Sequence, residues 1–459
     1  MGANSNTSDK DVTGTLARFA SHLTYDGIPQ SAREHSRHLL LDALACALAG
    51  YGGEDTPKVI RFASALGQSR ESSIIGGGRL SLAGATALNG FLITAVSMCD
   101  VYYPTATHLQ PVIISPALAI AERDGTSGRD LLVALASGFE TATRIAAGVD
   151  YQTFRKRGWH GPGVIGPFGA AAAVGHILGF DPERMATAFG LAGSQAAGTF
   201  AAWGTPSVKF HQFRGALSGL MAALLAEQDF VATRQFLTAP DGGFYPTYCG
   251  GGPRDAATAA LGERWELEQI ALRPWPTSAV SQGVVSALFD LMQQHDMKGD
   301  RVSRLRIHLS KKNFDTYEHR RTFSGKWQAS DCIYYTAAVV LNDRELWINQ
   351  FEPERYNDPD LQRFAMQRVE LLSDPGLTGV QAIVEAQTEA GSILTARSDA
   401  PKGTPENRLT RAEIEGKFRK AARGRLGSAD VESVLETISH LEDLKSVRSL
   451  MDVLRTGKT

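Results

Sequence analysis

Two rhythms of apolar and polar positions divide the chain. Up to about residue 271, apolar residues recur at helical spacing. Residues 32–49 carry charges early and then Leu39, Leu40, Leu41, Leu44 and Leu48. The later half of that stretch is apolar nearly all round, which predicts a buried helix. Asp181-Pro182-Glu183 predicts a helix start: a capping aspartate, proline at the first helical position, and an acid in the first turn. Residues 215–229 place Leu217, Leu220, Met221, Leu224 and Leu225 at helical spacing. Alanine and glycine are dense throughout, as in Gly169-Ala170-Ala171-Ala172-Ala173. Small side chains let helix axes approach closely, so a compact multi-helix bundle is expected.

Near Leu272 the rhythm changes. Arg273-Pro274-Trp275-Pro276 cannot sit inside a regular helix. Residues 301–310 alternate, with Leu305, Ile307 and Leu309 on one side, and predict a strand. Residues 381–389 and 392–398 alternate about Ala390-Gly391 and predict a hairpin, and residues 367–372 predict another strand. Helical spacing then returns. Thr410-Arg411-Ala412-Glu413 has the form of a capping box, and Leu435, Ile438, Leu441 and Leu444 supply an apolar stripe. The expected fold is mainly α: a large all-helical domain over residues 1–271 and a smaller α+β domain over 272–404. Helices over 405–459 are expected to pack back on the first domain.

Composition narrows the partners. The 459 residues carry 47 basic and 49 acidic side chains, a formal net charge of -2. A chain so balanced has no global attraction for nucleic acid or an anionic membrane, so any positive potential must be local. No uninterrupted apolar run reaches the length of a membrane span. Met1 to Ser8 has no basic region and no apolar stretch, so a signal peptide is not expected, and Asn6 breaks the myristoylation pattern. The segment reads as a short disordered tail, and the protein as soluble and cytoplasmic. Cys46, Cys99, Cys249 and Cys332 are far apart and show no C-x-x-C spacing. They predict buried reduced thiols rather than a zinc or iron–sulfur site. Gly76-Gly77-Gly78 and Gly250-Gly251-Gly252 match no phosphate-binding loop.

Four segments carry candidate chemistry. They are Cys99 to His108, Arg157 to Gly163 around His160, Gly204 to His211 with Lys209, and Arg273 to Ser278. Each has an ordinary reading alone. A single histidine is usually a structural hydrogen-bonder, a single lysine a solvated residue, and a glycine cluster a turn.

Together with their surroundings these residues resemble the MmgE/PrpD family. The resemblance rests on Leu41-Asp42 with Ala45 and Ala49-Gly50, on Ala87-Leu88-Asn89-Gly90, and on Pro116-Ala117-Leu118-Ala119. It continues through residues 125–132 with Gly128, Gly169 to Ala173, Ser194-Gln195-Ala196-Ala197-Gly198, Lys209-Phe210-His211 and Lys417-Phe418. These matches run in order along nearly the whole chain. The family includes 2-methylcitrate dehydratase, cis-aconitate decarboxylase and iminodisuccinate epimerase. The resemblance implies a large helical domain plus a small α+β domain with the site between them, a homodimer, and no metal or other cofactor.

It also implies site residues. His108 matches the histidine that ends an aspartate-rich loop, His160 the histidine after Gly-Trp, and Lys209 the lysine before the helix following Ser-Gln. Arg273 stands where a lysine usually opens a K-x-y-P segment, and Tyr334 or Tyr335 falls near a tyrosine of the small domain. This chain departs from the pattern elsewhere. Only Asp100 remains of a D-F-D-D loop, and H-P-S has become His108-Leu109-Gln110. Ser278 and Gln282 replace a histidine or cysteine and a further histidine. The expected chemistry is proton removal beside a carboxylate, with the charge held by preorganised cations. His108 or His160 would be the acid or base, and Asp100 would orient a histidine or a hydroxyl. Lys209 and Arg273 would neutralise substrate carboxylates, with His211, Ser278 and Gln282 shaping the substrate site. Tyr334 would give a proton to the leaving group. The leading expectation is dehydration of a 2-methylcitrate-like hydroxy acid. Decarboxylation or epimerisation of a related acid, and a non-catalytic acid-binding descendant, are the alternatives.

Overall fold

A computed structural model describes residues 11–456, and the reading of Met1 to Ser8 lies outside them. The first part of the chain is a bundle of helices around one large apolar core. Gln30–Ala49, Leu82–Thr94, Gln110–Asp124, Gly128–Ala147, Gly166–Ile177, Pro182–Gly193 and Ser207–Glu227 are its main members. Glycine allows close crossings. A Cβ on either Gly138 or Gly169 would stand 2.7 Å from the other's carbonyl oxygen. Asp181 caps its helix as its sequence predicts, accepting from the Arg184 amide at 2.8 Å. The four cysteines are free and buried.

Two departures from the sequence reading matter. The helix expected over 215–229 begins at Ser207, directly after Pro206, so Lys209 and His211 sit in its first turns rather than ahead of it. The polar and aromatic residues 207–214 hide the helical period there. The large domain also holds short strands. Val101–Tyr102 pairs antiparallel with Ile270–Ala271, fastening the loop before His108 to the segment before Arg273. That segment is held from below by a fully buried pair, Arg144 and Glu140, 2.6 Å apart. Glu140 accepts from the Glu266 and Leu267 amides, and Arg144 donates to the carbonyls of Ala259, Ala260 and Arg264.

The small domain has its own core. Its sheet has the order Val369–Ser373, Val302–Leu309, Ala382–Thr388, Ile393–Ser398. The first pair is parallel and the others antiparallel. Ser281–His295 and Ile333–Asp343 contribute the apolar helix faces that complete this core. The chain then returns to the large domain. Arg411–Ala422 starts with a capping box: the Glu413 carboxylate accepts from the Thr410 amide at 2.7 Å. It packs on Gln30–Ala49, putting Ile414 and Phe418 into the first core. No described helix is long and apolar enough to cross a membrane.

Candidate active site

A cavity of about 1250 Å³ lies between the two domains. His108, His160, Lys209, Arg273 and Ser278 all line it. They arrive from four separate segments, none of which is adjacent to another in the sequence.

The loop from Cys99 to His108 is a tight, strained turn. Tyr102 and Thr107 exchange backbone hydrogen bonds across it. Ala106 closes it with φ 48°, and Ser97, just upstream, has φ 56°. Both are left-handed conformations that side chains other than glycine adopt at a cost, and both residues line the cavity. Two consecutive carbonyls of this loop hold the chemistry in place. The Cys99 carbonyl accepts from Arg273 Nε at 2.6 Å, and the Asp100 carbonyl accepts from His108 Nδ1 at 2.5 Å. A carbonyl only accepts, so Nδ1 carries the proton and the Nε2 of neutral His108 keeps its lone pair. Burial, with the Arg273 charge second, lowers the His108 pKa to about 3. The unliganded imidazole is therefore neutral.

Asp100 acts through its backbone. Its carboxylate is fully buried and accepts from the Leu109 and Gln110 amides at 2.8 and 3.1 Å, capping the helix Gln110–Asp124. Burial pushes its pKa up to about 7, against those two donors. Its side chain does not line the cavity, and its carboxylate makes no hydrogen bond to His108. Cys99, Asp100 and His108 do bring three metal-ligand atoms within 4.8 Å of one another. Those donors are committed elsewhere: Asp100 to two amides, His108 Nδ1 to a carbonyl, and the Cys99 sulfur to Arg273 Nη2 at 3.5 Å. A guanidinium on the sulfur opposes a cation there, so the cluster does not fit a metal ion.

His160 is buried beside His211, their Nδ1 atoms 2.9 Å apart, so one of the two must carry the shared proton. Burial, then the neighbouring His211, holds the His160 pKa well below the ordinary value. His211 does not itself reach the cavity; it backs His160. Lys209 is 7 % exposed and donates to the Ala95 carbonyl. Burial lowers its pKa to about 8. Arg273 is 4 % exposed, and its remaining bond goes to the Thr277 carbonyl at 3.0 Å. Among the described residues neither Lys209 nor Arg273 has a carboxylate within ion-pair distance. A buried guanidinium and ammonium without counter-ions are costly unless an anion completes the site.

Of the remaining expected residues, Ser278 reaches the cavity and the others do not. The Ser278 hydroxyl shares a hydrogen bond with Ser281 at 2.8 Å at the cavity wall. Gln282 is buried behind that wall and braces the Arg273 segment by donating to the carbonyls of Trp275, Thr277 and Ser278. The Tyr334 hydroxyl donates to the Glu318 carbonyl at 3.0 Å, and that of Tyr335 to the Gln350 carbonyl at 2.5 Å. Neither tyrosine lines the cavity. The small-domain tyrosine that does is Tyr317, 3.4 Å from the Asp331 carboxylate, and Tyr103 and Tyr151 line the cavity from the helical domain. Nothing in the local sequence around Tyr317 signals this. Its position follows from the packing of the short helix Lys311–Tyr317 at the end of the strand Val302–Leu309.

One buried pair braces the whole arrangement. Lys417 of the C-terminal helix lies 2.6 Å from Asp42 of the helix Gln30–Ala49. Its ammonium also donates to the Met98 carbonyl at 3.0 Å and the Arg273 carbonyl at 2.8 Å. Asp42 accepts from Gln110, whose side-chain carbonyl in turn receives the Asp100 amide. The segments carrying His108 and Arg273 are thus joined to the two ends of the helical domain.

The fold is a helical bundle capped by a small α+β domain, with a cavity between them whose wall buries Lys209 and Arg273. The chain belongs to the MmgE/PrpD family. The pattern of the MmgE/PrpD N-terminal domain matches residues 14–256, and that of the C-terminal domain matches residues 275–443. Full-length relatives are similar at low identity. The cis-aconitate decarboxylase-like protein oryM of Aspergillus oryzae is 27% identical over 99% of both chains. Cis-aconitate decarboxylase of Aspergillus terreus is 26% identical over 96% of both. Cis-aconitate decarboxylase of Homo sapiens is 26% identical over 97% of this chain and 95% of its own.

Proposed function

We propose that this protein is a carbon–carbon lyase that decarboxylates a small unsaturated tricarboxylate of the cis-aconitate kind. The observation that carries the reading is the pair of buried, counter-ion-free cations, Lys209 and Arg273, lining one cavity with two neutral histidines. Full-length similarity to proteins named cis-aconitate decarboxylase favours this chemistry over the dehydration expected from sequence. Decarboxylation breaks the bond to one carboxylate, releases carbon dioxide and leaves the electron pair conjugated with a remaining carboxylate. Arg273 can grip that carboxylate by two parallel hydrogen bonds, and Lys209 neutralises the charge as it spreads. The carbanion then takes a proton. Lys209, protonated at neutral pH, and the His160–His211 pair, which shares one, are the donors in reach of the cavity.

Dehydration of a 2-methylcitrate-like hydroxy acid is the second reading, and the free Nε2 of His108 favours it as a base for proton removal. A homodimer that needs no metal, as the family resemblance implies, and a cytoplasmic setting complete the proposal. The test is a turnover screen of the chelator-treated protein with cis-aconitate, citrate, 2-methylcitrate and iminodisuccinate in deuterated water, read by proton NMR. Carbon dioxide release with one deuteron incorporated per product is the expected result. Alkene formation from a hydroxy acid would replace it with the dehydratase reading, and deuterium uptake without net change with epimerisation. Silence from a folded protein on all four acids would reject the small-acid lyase reading.

A further inference from the structure

Beyond the residues expected from sequence, the cavity holds another cation with nothing to bind. Arg155, from the short helix Tyr151–Lys156, lines it on the side of His160. Its guanidinium lies over Phe200, with Cζ 3.3 Å from the ring centroid. Phe200 in turn meets His160 edge-on, centroids 4.8 Å apart. Stacking occupies only the face of the guanidinium. Its N–H donors point outward in the plane, in the fork that matches a carboxylate. Among the described residues no carboxylate or carbonyl accepts from them. Of the three acids on the cavity wall, Asp331 is paired with Arg320 at 2.5 Å and Asp399 with Arg397 at 2.7 Å, and among the described residues no ion pair joins Glu406 to Arg155.

Arg155 stands apart from the cations already described. Arg273 and His108 hang from the consecutive carbonyls of Cys99 and Asp100, whereas Arg155 and His160 are joined through Phe200. The two histidines therefore each have a guanidinium of their own. A molecule held at Arg273 has a second anion site waiting beside His160, in a cavity of about 1250 Å³ that leaves room for it.

We propose that Arg155, pinned over Phe200, binds a second carboxylate of the substrate, so that the site selects acids with carboxylates on both sides of the reacting carbon. This deepens the lyase reading and rests on it for the identity of the reacting carbon, but the binding claim can be tested without turnover. The probe is tricarballylate, a saturated tricarboxylate with no leaving group, alongside its mono-amide at one terminal carboxylate. Calorimetry would measure both ligands against the wild-type protein, Arg155→Gln and Arg155→Lys, with thermal melting as the control for folding.

Arg155→Gln is expected to weaken tricarballylate at least about tenfold, the loss typical of a charge-assisted hydrogen bond. Its effect on the mono-amide should be within about threefold, because the partner of Arg155 is already missing. Arg155→Lys keeps the charge but loses the stack and the fork, and should fall between. Equal weakening of both ligands, or none of either, overturns the proposal. Binding that discriminates in this way in a protein silent in the turnover screen would keep the proposal and reject only the lyase reading.

Discussion

Lys209 is the residue on which the proposed chemistry turns most directly. It must be charged to hold a developing anion, yet burial lowers its pKa to about 8. The charged form predominates below that value and is lost as pH rises through it. The rate constant kcat/KM should therefore fall above about pH 8, since it reports free-enzyme ionisations. A flat profile to pH 10 would remove the requirement for charged Lys209. Lys209→Ala should lower kcat by about 10²-fold or more with the near-UV circular dichroism unchanged. Near-normal turnover in that variant would take Lys209 out of the site. His108 is a different case. Its pKa of about 3 keeps it neutral across this range, so it adds no break to the profile near neutrality.

At the scale of elements, the site depends on two helices far apart in the chain, Gln30–Ala49 and Arg411–Ala422. Lys417 is buried; burial opposes its charge, and Asp42 and Cys46 together outweigh it and raise the pKa. Lys417→Met leaves Asp42 charged and alone, which typically costs about 3–5 kcal/mol. Chemical denaturation should show that loss, and Asp42→Asn added to Lys417→Met should recover part of it. Wild-type stability in the single variant would refute the brace. At sub-denaturing temperature the single variant should also lose kcat, because Lys417 holds the Arg273 and Met98 carbonyls directly. These two residues carried part of the family resemblance, and their role in the fold gives a physical reason for that.

At the scale of the molecule, the cavity exists only where two domains meet. Trp203 of the helical domain reaches across to the small one. Arg320 stacks on it at 3.9 Å, and Tyr317 meets it edge-on at 6.2 Å. Trp203→Ala removes both contacts, together worth about 1–3 kcal/mol. Amide exchange should then quicken in residues 273–278, which lie at the same junction, while the core of the helix Gly166–Ile177 stays protected. Unchanged exchange at the junction would mean that other contacts hold the domains together.

Much of this protein was legible from its residues alone. The helical period, the change of rhythm near Leu272 and the alternation of residues 301–310 and 381–398 follow from which faces must be buried. Such periods are local properties of the chain. The capping signals of Asp181 and Thr410 were legible for the same reason: a cap bonds to amides only three residues away. His108, His160, Lys209 and Arg273 were legible as candidates because glycine, proline and charge interrupt apolar helices around them. Their meeting in one cavity was not, nor was the presence of Tyr317 rather than Tyr334 on its wall. That His108 is held by the carbonyl of Asp100 rather than by its carboxylate was equally hidden. Arg155 was hidden in a charge run, Arg155-Lys156-Arg157, that reads as a solvated face. Whether a charge is solvated, paired or left waiting for a ligand depends on what distant segments bring beside it. That is decided by long-range packing, which no local pattern encodes.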